Sequence, residues 1–100
     1  MDDLRPDEEL LVGQWLDTGN RMERDHTAAR IDWLITRRLE RIGDVGWFQL
    51  FRDRHDGRLW ELSYPHGGMH GGGPPMLAHL TREVAAAKYG NVVANPGEAG

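Results

Sequence analysis

Five histidines, His26, His55, His66, His70 and His79, are the side chains best suited to proton transfer or metal ligation in this chain. Only His66 and His70 stand four apart, the spacing at which two imidazoles share a helix face. Pro65 and the surrounding glycines exclude a helix there. With no cysteine and no carboxylate close by in sequence, the pair lacks the rest of a ligand set. The plainer reading is loop histidines that bond to backbone or face a partner. Gly71-Gly72-Gly73 has the composition of a phosphate cradle, but a cradle of that type continues with Lys and Ser or Thr at the start of a helix. Here Pro74 and Pro75 follow, and proline removes the amides that would grip phosphate. Ser63 has no Gly-x-Ser-x-Gly elbow around it. Asp53 and Asp56 flank a hairpin tip, where carboxylates commonly shape the turn. Glu61, on a strand, reads as a general base, a partner contact or an ordinary solvent-facing acid. These residues do not assemble into an active site, and no catalytic group, metal or cofactor is expected.

What remains is a binding surface. The loop Met69-His70-Gly71-Gly72-Gly73-Pro74-Pro75 is stiffened by its prolines, and its glycines let a partner's backbone come close. Tyr64, Met69 and His70 supply contact groups. The alternative is that the loop folds over a sheet, with Met69 plugging the core.

The elements that must position this loop are short. Leu10 to Leu16 reads as a strand, Asp17-Thr18-Gly19-Asn20 as a turn, and Arg21 to Glu23 as a returning strand. A helix is expected from about Thr27 to Ile42, with Asp25 as N-cap and Gly43 as C-cap. Ala28, Ile31, Leu34, Ile35, Leu39 and Ile42 form its apolar stripe. Arg38 interrupts that stripe, near the helix end where it can reach water. Trp33 lies on the opposite side, either covered by another segment or exposed for a partner. Trp47 to Phe51 and Leu59 to Tyr64 read as two strands joined by a hairpin, with Gly57 supplying positive φ. Trp60, Leu62 and Tyr64 then share one face. Met76 to Leu80 is a further strand, and Thr81 caps a short helix from Arg82 to Tyr89 that Gly90 ends.

The chain of 100 residues is long enough for one domain. Residues 1–9 read as an acidic, flexible leader, 10–90 as the domain and 91–100 as a disordered tail. No segment reads as a signal peptide or a membrane span, so a soluble cytoplasmic protein is expected. The formal net charge of −4 speaks against nucleic acid as a partner and suits a basic one. Lys88 is the single lysine among twelve basic residues.

The runs Asp56-Gly57-Arg58, Trp60-Glu61-Leu62, Tyr64-Pro65 and Met69-His70-Gly71-Gly72-Gly73-Pro74-Pro75 together resemble the immunity protein 27 family of bacterial polymorphic toxin systems. The likeness extends back through Gly46-Trp47 and Ile31-Asp32-Trp33-Leu34 and forward to Lys88-Tyr89-Gly90. Gly67-Gly68 depart from it, where the family carries more polar residues. The resemblance implies a protein that neutralises a cognate toxin in the producing cell by stoichiometric binding, without turnover. A basic nuclease is the toxin class that the acidic balance suits. The residues expected to meet the toxin are Glu61, Tyr64, Met69 and His70, with Asp53, Asp56 and Trp33 behind them. The charged hairpin tip or the outer face of the long helix would serve if the motif residues instead hold the fold. A small hydrolase or nucleotide-binding enzyme using His66, His70 and the glycine loop is the competing reading, and a scaffold module a third. The expected architecture is α+β: a small antiparallel sheet, one long helix packed across a face on Trp47, Phe51, Trp60 and Leu62, and a short helix near the end.

Overall fold

The computed structural model describes residues 1–17, 22–65 and 73–90. In chain order the elements are β1 (Leu10–Val12), β2 (Trp15–Asp17), β3 (Met22–Arg24), α1 (His26–Arg37), β4 (Leu39–Val45), β5 (Phe48–Asp53), β6 (Leu59–Ser63), β7 (Met76–Leu80) and α2 (Arg82–Tyr89). Five strands form one antiparallel sheet in the order β1-β7-β6-β5-β4, and β2 and β3 form a separate ribbon. This is the expected α+β class.

Side-chain alternation along the strands divides the core in two. Phe51, Trp60, Leu62 and Leu77 point to one face and pack with Ile31 and Leu34 of α1. Their neighbours Leu50 and Leu59 point to the other and pack with Ala85 and Tyr89 of α2. Phe51 lies directly opposite Trp60, and Leu50 opposite Glu61, so one register serves both layers. Each large side chain buried here contributes about 1.5–3 kcal/mol. Asp25 caps α1 as its position implies, its carboxylate accepting from the Ala28 amide at 2.7 Å. Thr81 caps α2 in the same way, its hydroxyl oxygen accepting from Val84 N at 3.2 Å, and Gly90 closes that helix at φ +69°.

Helix α1 is shorter than the apolar spacing predicts. It stops at Arg37, Arg38 is its C-cap, and Leu39 onward is strand. Leu39 and Ile42 are three apart, which suits a helix stripe, but an odd separation sends strand neighbours to opposite faces. Leu39 packs against α1 and Ile42 against α2, so each completes a different core layer. Gly43 caps nothing; it sits where the β4–β5 register shifts, between Arg41 and Gly43. Arg38 reaches solvent as expected and pairs with Asp3 at 3.1 Å.

Trp47 also departs from expectation. It is not part of the helix-facing core but occupies the two-residue turn between Val45 and Phe48, 88% exposed. Gly46 holds φ +59°, the positive value that a tight hairpin of this type asks of its first central residue. The second hairpin forms as predicted, with Gly57 at φ +80°.

The first nine residues, mostly exposed, are tied to the domain at a few points. Leu4 is buried in the α1-side core. Arg30 donates to the carbonyls of Asp2 and Asp3 at 3.0 and 2.7 Å and grips Glu8 through both carboxylate oxygens at 2.7 Å. Arg58 donates to the carbonyls of Arg5 and Glu8 at 2.9 Å. Fulfilled backbone acceptors explain why this acidic stretch orders without a regular element. The hydrogen bond from Arg30 holds the Glu8 carboxyl at about 2, against an ordinary 4.5.

The apolar run Leu10 to Leu16 splits into β1 and β2 at Gly13. The Gly13 amide donates to Pro75 O at 2.8 Å, and an added Cβ would stand 2.9 Å from that oxygen and from the Ala28 Cβ. This contact fixes where the strand after the glycine-proline loop begins. The expected return strand is β3, one residue further on than its sequence reading. The turn at residues 18–21, the loop residues 66–72 and the tail 91–100 lie outside the described residues.

Candidate functional site

The β4–β5 turn, the end of β6 and the start of β7 share one end of the sheet. Val45 lies opposite Phe48, Gln49 opposite Leu62, and Ser63 opposite Met76. Trp47 projects from this end, and Val45, Phe48 and Tyr64 are each about two-fifths exposed. Large apolar side chains gathered at solvent are a stronger sign of recognition than scattered ones. Asp44, also exposed, flanks them. Gly73-Pro74-Pro75 leads into β7 at the same end, with Gly73 and Pro75 buried. Stiff backbone thus stands beside open aromatic surface.

Glu61 is not free to act there. Its carboxylate accepts from the Tyr89 hydroxyl at 2.7 Å and from Lys88 Nζ at 2.7 Å, and its side chain is mostly covered. Lys88 Nζ also lies 3.4 Å from the centre of the Phe48 ring, a cation–π contact. Burial, and then the hydrogen bond to Glu61, push the Tyr89 hydroxyl well above its ordinary pKa, so it stays protonated and donates. The group ties α2 to the sheet and props Phe48 at its outer edge.

Asp53 and Asp56 lie at the opposite end, on the β5–β6 hairpin, and both serve the turn. Asp53 is buried and accepts from the His55 amide at 2.8 Å. Asp56 accepts from Arg58 N at 2.9 Å and Arg58 Nε at 2.8 Å. Burial pushes the Asp56 pKa up, but the Arg58 hydrogen bonds and charge outweigh it and hold the carboxyl below its usual range. Asp56 thereby aims Arg58 at the leader carbonyls. Trp33 is half-buried against the α1-side core, with the Arg38 guanidinium 5.1 Å from its ring centre.

Of the residues expected to meet a partner, only Tyr64 joins the exposed aromatic end; Met69 and His70 lie outside the described residues. The sequence reading missed Trp47, Val45 and Phe48 as surface groups. Their signal was Gly46, a turn glycine inside an apolar run. Among the described residues no three His, Cys, Asp or Glu are placed to hold a metal ion, and no helix is long and apolar enough to cross a membrane.

No curated protein and no solved structure matches the chain. A family model does: that of immunity protein 27, over residues 17–81. The matched span takes in α1, both hairpins and the glycine-proline loop, and leaves out the leader, β1 and α2. It covers well over half of the chain, and with the α+β sheet and the sequence runs already described it places this protein in the immunity protein 27 family.

Proposed function

We propose that this immunity protein neutralises one cognate toxin domain by stoichiometric binding in the producing cell's cytoplasm, and that the aromatic end of the sheet is where the toxin seats. The observation that carries this reading is Trp47, 88% exposed at a hairpin tip beside Val45, Phe48 and Tyr64. Tryptophan and tyrosine carry much of the energy at protein interfaces because they bury large rigid area at low entropic cost. Met69 and His70, which lie outside the described residues, are proposed as further toxin contacts on the strength of the sequence motif alone, and Trp33 serves as packing against the α1-side core. The excess of acidic residues, sixteen against twelve basic, favours a basic toxin such as a nuclease. In this reading Glu61 props Phe48 through Lys88, Asp53 and Asp56 shape the hairpin at the far end, and none of the three touches the toxin.

The experiment is a binding titration of the purified cognate toxin domain against the wild-type protein and Trp47→Ala, with rescue of toxin-expressing cells scored alongside. The expected outcome is a one-to-one complex that Trp47→Ala weakens at least 30-fold, about 2 kcal/mol, with matching loss of rescue. Equal affinity of the two proteins would move the interface elsewhere. An association rate that falls with added salt supports charge steering; one indifferent to salt removes it.

A further inference from the structure

A cavity of about 140 Å³ opens at the β5–β6 hairpin end of the sheet, away from Trp47. That is roughly ten times the space a single water needs. Arg52, Arg58, Arg82 and His79 line it together with Gly57 and Thr81, and no carboxylate is among its walls. In a chain of net charge −4 this is an unusual local reversal of sign.

The three guanidiniums are not equally occupied. Arg58 is spent on Asp56 and on the leader carbonyls, so it lends charge and a fixed wall. Arg52 gives Nη2 to Glu40 at 2.6 Å. The Arg82 guanidinium, on an exposed residue, has no hydrogen-bond or ion-pair partner among the described residues. The Thr81 hydroxyl oxygen accepts from Val84 N, which leaves its own proton to donate. His79 is held edge-on against Trp60, with ring centres 5.7 Å apart.

From this arrangement we propose that the cavity is a binding site for a small oxyanion, phosphate or carboxylate, with Arg82 and Arg52 as its ligating side chains. Guanidinium forks match the paired oxygens of either group, and partial burial strengthens such charge-assisted bonds. The site stands apart from the toxin-facing surface, and its test does not depend on a toxin.

The test is a titration of the isotope-labelled full chain, following the amides of Gly57, Thr81 and Arg82 by NMR. Inorganic phosphate is one arm and acetate the other, both at ionic strength held constant with sodium chloride. Saturable shifts confined to these amides are expected, weakened at least tenfold in Arg82→Gln. Saturation by phosphate alone assigns a tetrahedral anion, free or carried on a metabolite. Saturation by acetate assigns a carboxylate of the kind an acidic side chain offers. Shifts that never saturate in either arm, or that are unchanged in Arg82→Gln, overturn the proposal. Arg52→Gln should weaken the same binding, and because Arg82 is exposed, its replacement keeps the readout clear of folding.

Discussion

The two ends of the sheet spend their residues differently. At the β5–β6 hairpin the conspicuous charges, Asp53, Asp56 and Arg58, are turned inward onto amides and carbonyls. At the β4–β5 turn a large aromatic side chain is left in water. Charge at a loop tip looks like an invitation to a partner, yet here it is consumed by the fold. At the β4–β5 turn the groups left available are apolar ones that the fold could have hidden.

The largest expected effect lies in the arginine-held leader. Arg30→Met strands the mostly buried Glu8 carboxylate and two main-chain carbonyls, and should cost about 3–5 kcal/mol in urea unfolding. Glu8 carries a lowered pKa, so its pairing stabilises the fold fully above pH 4.5 and is lost as the pH falls from there through about 2. Stability measured across that window should decline in the wild-type protein and lie flatter in Arg30→Met. A wild-type profile as flat as the variant's would show that the pair contributes nothing.

At the aromatic end Trp47→Ala should leave the unfolding midpoint almost unmoved, within about 0.5 kcal/mol, because the side chain touches little of its own molecule. Its cost should appear only in toxin affinity. A substantial loss of stability would mean that the ring packs on the fold, and the contrast between the two ends would fail.

Gly13→Ala should cost about 1–3 kcal/mol, since the new methyl meets backbone oxygen at Pro75 and cannot be accommodated by a side-chain turn. A modest effect is expected from Glu61→Gln. It keeps the shape but loses the charge that holds Lys88, and should lower stability by about 1 kcal/mol. Toxin affinity should stay the same; a large fall in affinity at constant stability would return Glu61 to the interface.

Much of this was legible from residue types. The β5–β6 hairpin, both N-caps and the closing glycine of α2 each rest on a local rule with a single physical cause, and each formed as read. The end of α1 was not legible because Leu39 and Ile42 satisfy a helical stripe and a two-faced strand equally well; only the second core layer under α2 decides between them. Trp47 was misplaced for a related reason. An aromatic beside Phe48 counts toward a strand unless Gly46 is given the turn. The leader escaped notice because its partners, Arg30 and Arg58, lie more than twenty residues away and bind main-chain oxygens that no side-chain pattern reveals.

Those two arginines grasp carbonyls, and every L-amino acid offers the same carbonyl. The path of the first nine residues is therefore tied to positions 30 and 58 far more tightly than to its own spelling. Asp2, Asp3 and Arg5 should be open to exchange, with only Leu4 and Glu8 held to type. A library randomised at residues 2, 3 and 5 should melt within a few degrees of the parent, whereas one randomised at position 30 should yield few folded members. Lineages descended from this chain are free to recolour the strap while its two buckles stay put.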